Sequence, residues 1–247
     1  MSRRPVLAIA HRGDPHAHRE NTVPAVLAGI AQGADLVEID LELTADGQLI
    51  LLHDRDLTRL WGNPGRVAEL TLADVHAACT GRYRVPSFAE VLDVQAATGV
   101  GVMVDVDEPP IATRALAAVA RRGLLETTVF AGAFAAMRAV RDGSATARVA
   151  LSIDTLAELP SADELCTLAP EYLNPHWPML NAPLVQRWHA DGYAVSCWTV
   201  DSPSTMAHLI DMSVDVIITN RIGHLVNLIA ARGVTAPAEP GGAESSC

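Results

Sequence analysis

The sequence contains no lysine; all 18 of its basic residues are arginine. Schiff-base and other lysine-dependent chemistry is thereby excluded. Positive charge at any site must come from arginine, histidine or a bound cation. Aromatic residues make up only 4% of the chain, so Leu, Val, Ile and Ala must fill the core, for which the 49% hydrophobic content is ample. The four cysteines, Cys79, Cys166, Cys197 and Cys247, form no CxxC pair, and no cysteine–histidine spacing favours structural zinc. A chain of this size does not need disulfides, and free thiols in a reducing compartment are expected. No stretch approaches the roughly 18–20 apolar residues of a membrane span. The run Val6–Ala10 is five residues long and leads straight into His11, too short for the apolar part of a secretory signal. A soluble, cytoplasmic protein without stable membrane anchoring is expected. The net charge of −11 and pI near 5.2 argue against a general nucleic-acid or anionic-membrane surface.

What the chain does have is alternation. Short apolar runs at 6–10, 35–41, 101–106, 127–131, 147–152, 171–174, 193–198 and 214–218 read as strands. Between most of them lie Ala- and Leu-rich helical patterns at 23–32, 87–98, 111–122, 133–142, 182–191, 203–211 and 222–231. Gly33, Gly99, Gly123, Gly143 and Gly192 follow five of these helices, where a left-handed cap or tight turn is expected. Eight strands with interleaved helices point to an α/β fold of the (β/α)8 TIM-barrel type. An open doubly wound sheet gives a similar pattern, and periodicity does not separate the two. The stretch 54–86 is irregular, entered through the turn Asp46-Gly47 and a short extra strand at 48–52, with a short helix expected from Thr71 to Cys79. Residues 1–234 read as one domain, and 235–247, rich in Pro, Gly, Ser and Glu, as a disordered tail.

Charged residues cluster where the first strands end. His11-Arg12-Gly13, Glu20-Asn21, Glu38-x-Asp40 and His53-Asp54 fall within 44 residues. Glu38 and Asp40 are one residue apart, so on a strand they share a face. They read either as the solvated side of an edge strand or, inside a barrel, as carboxylates that need a partner or a cation. Asp105 ends another apolar run, and three such groups make an oxygen-rich site suited to magnesium or calcium. His11 and His53 stand at equivalent strand ends, each beside a charged group, which suits an acid/base pair. Arg12 can grip a phosphate in a bidentate contact, pair with Glu20, or do both. Trp198 closes a strand and reads as a pocket wall or as core. His176 is a candidate for the rim of the site; His16 and His18 lie in the loop after His11 and read as exposed.

These residues carry a resemblance. His-Arg-Gly at 11–13, Glu-Asn-Thr at 20–22, Gly-Ala-Asp-x-x-Glu-x-Asp at 33–40, Thr-x-Asp-Gly at 44–47 and His-Asp at 53–54 stand in the order seen in the glycerophosphodiester phosphodiesterase family. Val-Pro-Ser-Phe-x-Glu-Val-Leu at 85–92, Trp-Thr-Val-Asp at 198–201 and Asp-x-Ile-Ile-Thr-Asn at 215–220 extend it over nearly the whole chain. The resemblance implies a (β/α)8 barrel whose site lies at the C-terminal strand ends. It implies a divalent cation, Mg2+ or Ca2+, on Glu38, Asp40 and Asp105, with Glu20 as a possible further ligand or a support for Arg12. His11 and His53 would be the acid/base pair and Arg12 the phosphate contact. The substrate would be a small phosphodiester cleaved to glycerol 3-phosphate and an alcohol. Lysophospholipase D-like action on the same barrel, or a catalytically weak phosphoester-binding barrel, are the alternatives. Two departures stand out. Asp105-Val106-Asp107 replaces the family's Glu-x-Lys, exchanging a cation for an anion, and Arg19 stands before Glu20 where the family commonly has proline. No large insertion follows His53, as in compact members.

Overall fold

Runs of Val, Ile, Leu and Ala too short for helices become strands when both of their faces are buried. Eight such runs close into a barrel. A computed structural model describes residues 6–233; the expected tail at 235–247 lies outside them. The strands are β1 (Leu7–His11), β2 (Leu36–Leu43), β3 (Leu49–Leu51), β4 (Gly101–Asp105), β5 (Thr128–Gly132), β6 (Arg148–Ile153), β7 (Tyr172–Pro175), β8 (Ala194–Cys197) and β9 (Val216–Thr219). All but β3 pair in parallel in the order β1-β2-β4-β5-β6-β7-β8-β9, and β9 returns to β1. That closure excludes the open-sheet alternative. The short β3 folds back antiparallel on the end of β2. Its turn is set by Gly47, whose φ is 77°, and by Thr44 Oγ1, which donates to Asp46 at 2.6 Å.

Ten helices connect the strands among the described residues: α1 (Val23–Ala31), α2 (Thr58–Trp61), α3 (Leu72–Ala78), α4 (Phe88–Thr98), α5 (Pro109–Arg121), α6 (Phe134–Gly143), α7 (Ala162–Leu168), α8 (Ala182–Ala190), α9 (Pro203–Asp211) and α10 (Ile222–Ala231). Helix α7 was absent from the expected pattern; its start is marked by a Ser161–Glu164 capping box. Four of the five glycines after helices take the left-handed conformation, whereas Gly143 is the last residue of α6 itself and Ser144 caps it. The main core lies between barrel and helices. The lumen is filled by Ile9, Leu36, Met103, Val129, Ala150, Tyr172, Val216 and Ile218, a packed interior rather than a pore. The irregular stretch after β3 has a core of its own, with Leu57, Trp61, Val67, Val75 and Val85 around Ile50 and Leu52. Cys79 and Cys197 are free thiols, but Cys166, half-buried on α7, is disulfide-bonded, contrary to the expectation of free thiols throughout. No helix of the described residues is long and apolar enough to cross a membrane.

Parallel strands send alternate residues inward, so one motif serves both ends of the barrel. Asp35, below β2, accepts the Ala8 amide at 2.7 Å, while Glu38 and Asp40 stand further up the same strand. Asp215, below β9, accepts from His189 Nε2 at 2.7 Å and the Val195 amide at 2.8 Å. Asn220 follows the top of β9. The lower ends thus hold strands together, and the upper ends carry the polar constellation.

Candidate active site

The His-Arg-Gly motif is a backbone device before it is a chemical one. Gly13 has φ of 84°, and a Cβ there would lie 2.3 Å from the Ala25 carbonyl carbon. Only glycine lets the chain leave β1 so close to α1. Arg12 and Asn21 also take positive φ, 57° and 52°, a conformation that costs non-glycine residues on the order of 1–3 kcal/mol. Both are held there by the site. The Arg12 amide donates to Glu38 Oε2 at 2.9 Å. Asn21 Nδ2 donates to Asp40 Oδ2 at 2.6 Å, and the Asp40 amide donates back to Asn21 Oδ1 at 3.3 Å.

Strand register assembles the carboxylates. His11 pairs with Glu38 across β1 and β2, and Asp40 pairs with Asp105 across β2 and β4. Glu38, Asp40 and Asp105 bring ligand oxygens within 4.8 Å of one another. Burial, and then repulsion from Asp40 and Asp105, push the Glu38 carboxyl well above its usual range. Burial, Asp40 and Asp107 push Asp105 up to about 7. Arg12 is the cation that opposes these shifts, and its Nε lies 3.0 Å from Asp40 Oδ2 without hydrogen-bond alignment. Three hard oxygen donors at such mutual distance, short of compensating charge, suit a hard divalent cation.

Asn220 decides the proton placement on His11. Asp201 accepts from Asn220 Nδ2 at 2.8 Å and from the Asn220 amide at 2.8 Å, which turns Oδ1 of the amide toward His11. His11 Nδ1 is 2.8 Å from that oxygen and is therefore the donor. Nε2 carries the lone pair of the neutral ring, 3.9 Å from Glu38. Burial, followed by the Arg12 charge, lowers the His11 pKa, which favours the neutral ring.

His53 is placed differently. It follows Leu52, whose amide donates to the Asp40 carbonyl, and it is exposed. Its Nδ1 donates to Asp54 Oδ1 at 2.7 Å. Asp54 also accepts from Arg59 Nε at 2.6 Å, and Arg59 reaches Glu20 with contacts of 2.7 and 3.1 Å. Glu20 in turn accepts from Arg12 at 2.8 Å. An unbroken chain of ion pairs thus joins His53 to Arg12. Glu20 lies between two guanidiniums, outside the three-carboxylate cluster. Trp198 follows β8, donates from Nε1 to the Asn174 carbonyl at 3.0 Å, and packs 5.1 Å from the His176 ring above the lumen. Asp107 does not stand free: its carboxylate accepts the Ala133 amide at 3.1 Å, before α6.

The sequence reading missed Arg59 and the parts played by Asn21, Asp201 and Asn220. The two asparagines lay inside quoted motifs, but nothing local assigns them a partner. His18 is also not merely exposed, since Nδ1 meets the Tyr83 hydroxyl at 3.0 Å.

A parallel barrel whose upper rim joins a carboxylate cluster, an arginine and two histidines defines a class of enzyme that works on charged esters. Residues 11–224 match the model of the glycerophosphoryl diester phosphodiesterase family. The chain belongs to that family and is a phosphoric diester hydrolase. It is 27% identical to the glycerophosphodiester phosphodiesterase of Caldanaerobacter subterraneus, over 92% of this chain and 99% of that one. It is 31% identical to the probable glycerophosphodiester phosphodiesterase 2 of Mycobacterium tuberculosis, over 92% of each. Its fold is shared with a phosphodiesterase of Oleispira antarctica solved with the product sn-glycerol-3-phosphate, at a TM-score of 0.80 and 21% identity over 92% of this chain and 97% of that one.

Proposed function

We propose that this chain hydrolyses glycerophosphodiesters to glycerol 3-phosphate and an alcohol in a cation-dependent reaction, with His11 as general base and His53 as general acid. The observation that carries the role assignment is the contrast between the two imidazoles. His11 is held by a neutral amide in surroundings that lower its pKa. His53 is exposed, and its Nδ1 donates to the Asp54 carboxylate, which leaves Nε2 as the nitrogen free to face a leaving group.

Glu38, Asp40 and Asp105 would hold a divalent cation, which supplies charge neutralisation to the phosphoryl oxygens. Arg12 adds a guanidinium to the same oxygens. Its orientation is fixed from behind by Glu20 and Asp40. His11 Nε2 takes the proton of the attacking hydroxyl, of water or of the glycerol itself, as the new P–O bond forms; a cyclic phosphate made by the glycerol hydroxyl is then opened by water to glycerol 3-phosphate. His53 Nε2 gives its proton to the departing alcohol oxygen as the old P–O bond breaks. Trp198, which follows β8 two strands round the barrel from β1, would bear on the glycerol. The similarity to a fold that was solved with glycerol 3-phosphate agrees with this choice of product.

A change of leaving group separates the two histidines. His11→Ala and His53→Ala should each lower kcat by about 10²–10⁴ on an alkyl diester. On a p-nitrophenyl diester, whose leaving group needs no proton, His53→Ala should recover most of its rate and His11→Ala should not. Equal behaviour of both variants on both substrates would remove the assignment.

A further inference from the structure

The loop after β1 and the stretch after β3 border an open surface hollow beside the carboxylate site. It measures about 360 Å³ and is walled by His16, His18 and Arg19 from the loop and by Leu60 and Tyr83 from the stretch after β3. Glu20 lines it as well, so the concavity abuts the residue that holds Arg12. Its charge is one-sided. The only carboxylate in its wall is that of Glu20, which already meets two guanidiniums, Arg12 and Arg59. Among the described residues no carboxylate lies within ion-pair distance of Arg19 or Arg82.

The aromatic rings here are taken. Arg19 sits 4.4 Å over the Trp61 ring and 5.7 Å from Tyr83, and Arg82 sits 4.6 Å over Tyr83. Aromatic faces are what a quaternary ammonium needs. In this chain guanidiniums occupy them, and their charge would repel a second cation. A guanidinium that meets a ring with its face retains the N–H donors at its edge for an anion. The Tyr83 hydroxyl accepts from Arg82 and is 3.0 Å from His18 Nδ1, which ties His18 and Arg82 to the same wall. On a protein of net charge −11, such a basic hollow beside the site is a local exception.

We propose that this hollow receives the alcohol moiety of the diester and selects an alcohol that carries its own anionic group, with Arg19 as the specificity-determining residue. The proposal rests on the glycerophosphodiester reading above. It implies that diesters of choline are poor substrates and that diesters of a phosphorylated or carboxylated alcohol are good ones.

The test compares kcat/KM for three diesters: glycerophosphoinositol 4-phosphate, glycerophosphoglycerol and glycerophosphocholine. The anionic substrate should exceed the choline diester by about tenfold or more, with the neutral one between them. Arg19→Met keeps a cover over Trp61 without the charge, and Arg19→Ala uncovers the ring. Both should reduce the anionic-to-neutral ratio by about tenfold, mainly through KM. Only Arg19→Ala should improve the choline diester. A wild-type preference for choline, or ratios that neither variant moves, would overturn the proposal while leaving diester hydrolysis intact. If none of the three is hydrolysed with any divalent cation, the diester reading itself fails. The hollow is then tested by calorimetric binding of inositol 4-phosphate. Binding that Arg19→Ala weakens about tenfold supports the subsite, and absent or Arg19-independent binding overturns it.

Discussion

Asn220 presents its amide oxygen 2.8 Å from His11 Nδ1, joining residues 209 positions apart in the chain. Asp201 fixes the amide's orientation through its nitrogen. The Asp201 carboxyl is partly buried, which works to raise its pKa, but hydrogen bonds from Asn220 and Thr219 bring it below the usual range. The arrangement keeps the His11 lone pair on Nε2. Asn220→Ala should therefore lower kcat by about 10–100-fold, the usual cost of losing a residue that orients a catalytic ligand. The hydrogen bond to Asn220 raises the His11 pKa, so its loss should move the acid limb of the kcat/KM profile to lower pH. The pH–rate profile of the purified variant checks both. A limb that stays in place with an unaltered plateau would show that Asn220 does not position the ring.

The metal-free protein should carry a pH-dependent penalty at Asp105. Its carboxyl is raised from an ordinary value of 3.8 to about 7, so the folded state binds more protons than the unfolded state across that window. Stability without cation then falls as pH rises through the window and levels off above it. Asp105→Asn removes the repulsion and should raise Tm at pH 8 in EDTA by about 2–6 °C, equivalent to roughly 1–2 kcal/mol. Added Mg2+ or Ca2+ should stabilise the wild type and not the variant. Calorimetry of both proteins across pH 5–8 reads this directly. A variant no more stable than wild type at pH 8 in EDTA would mean that the cluster is not electrostatically strained.

Gly13 admits no side chain. With φ of 84° and an added Cβ 2.3–2.6 Å from the Ala25 and Val26 backbone, Gly13→Ala should destabilise by about 3 kcal/mol or more. Because this turn delivers Arg12 to Glu38, residual folded protein should also be inactive. Urea unfolding gives the stability, and a variant within 1 kcal/mol of wild type would contradict the close approach of β1 and α1.

The fold was legible in the sequence where local chemistry decides it. Doubly buried strands need continuous Val-, Ile- and Leu-rich runs, and those runs locate every barrel strand to within a residue or two at its start. Helix α7 was hidden because its face toward the core is small, with Leu165 and Leu168 its buried residues. Gly143 misled because a glycine near a helix end can cap it or simply complete it, and Leu116 packed beneath it is not visible from position 143. The carboxylate site was legible because alternation puts Glu38 and Asp40 on one face. Arg59 was not, since its partners Asp54 and Glu20 are brought to it by the fold of the irregular stretch after β3, 39 residues from Glu20. The second arginine on Glu20 was likewise out of reach of the sequence.

The most direct test is release of glycerol 3-phosphate from glycerophosphoglycerol by the protein stripped with EDTA, then supplied with Mg2+ or Ca2+. The account predicts negligible turnover in EDTA, restoration by one of the cations, and no restoration in Asp40→Asn. Undiminished turnover in EDTA, or no glycerol 3-phosphate under any cation, would contradict it.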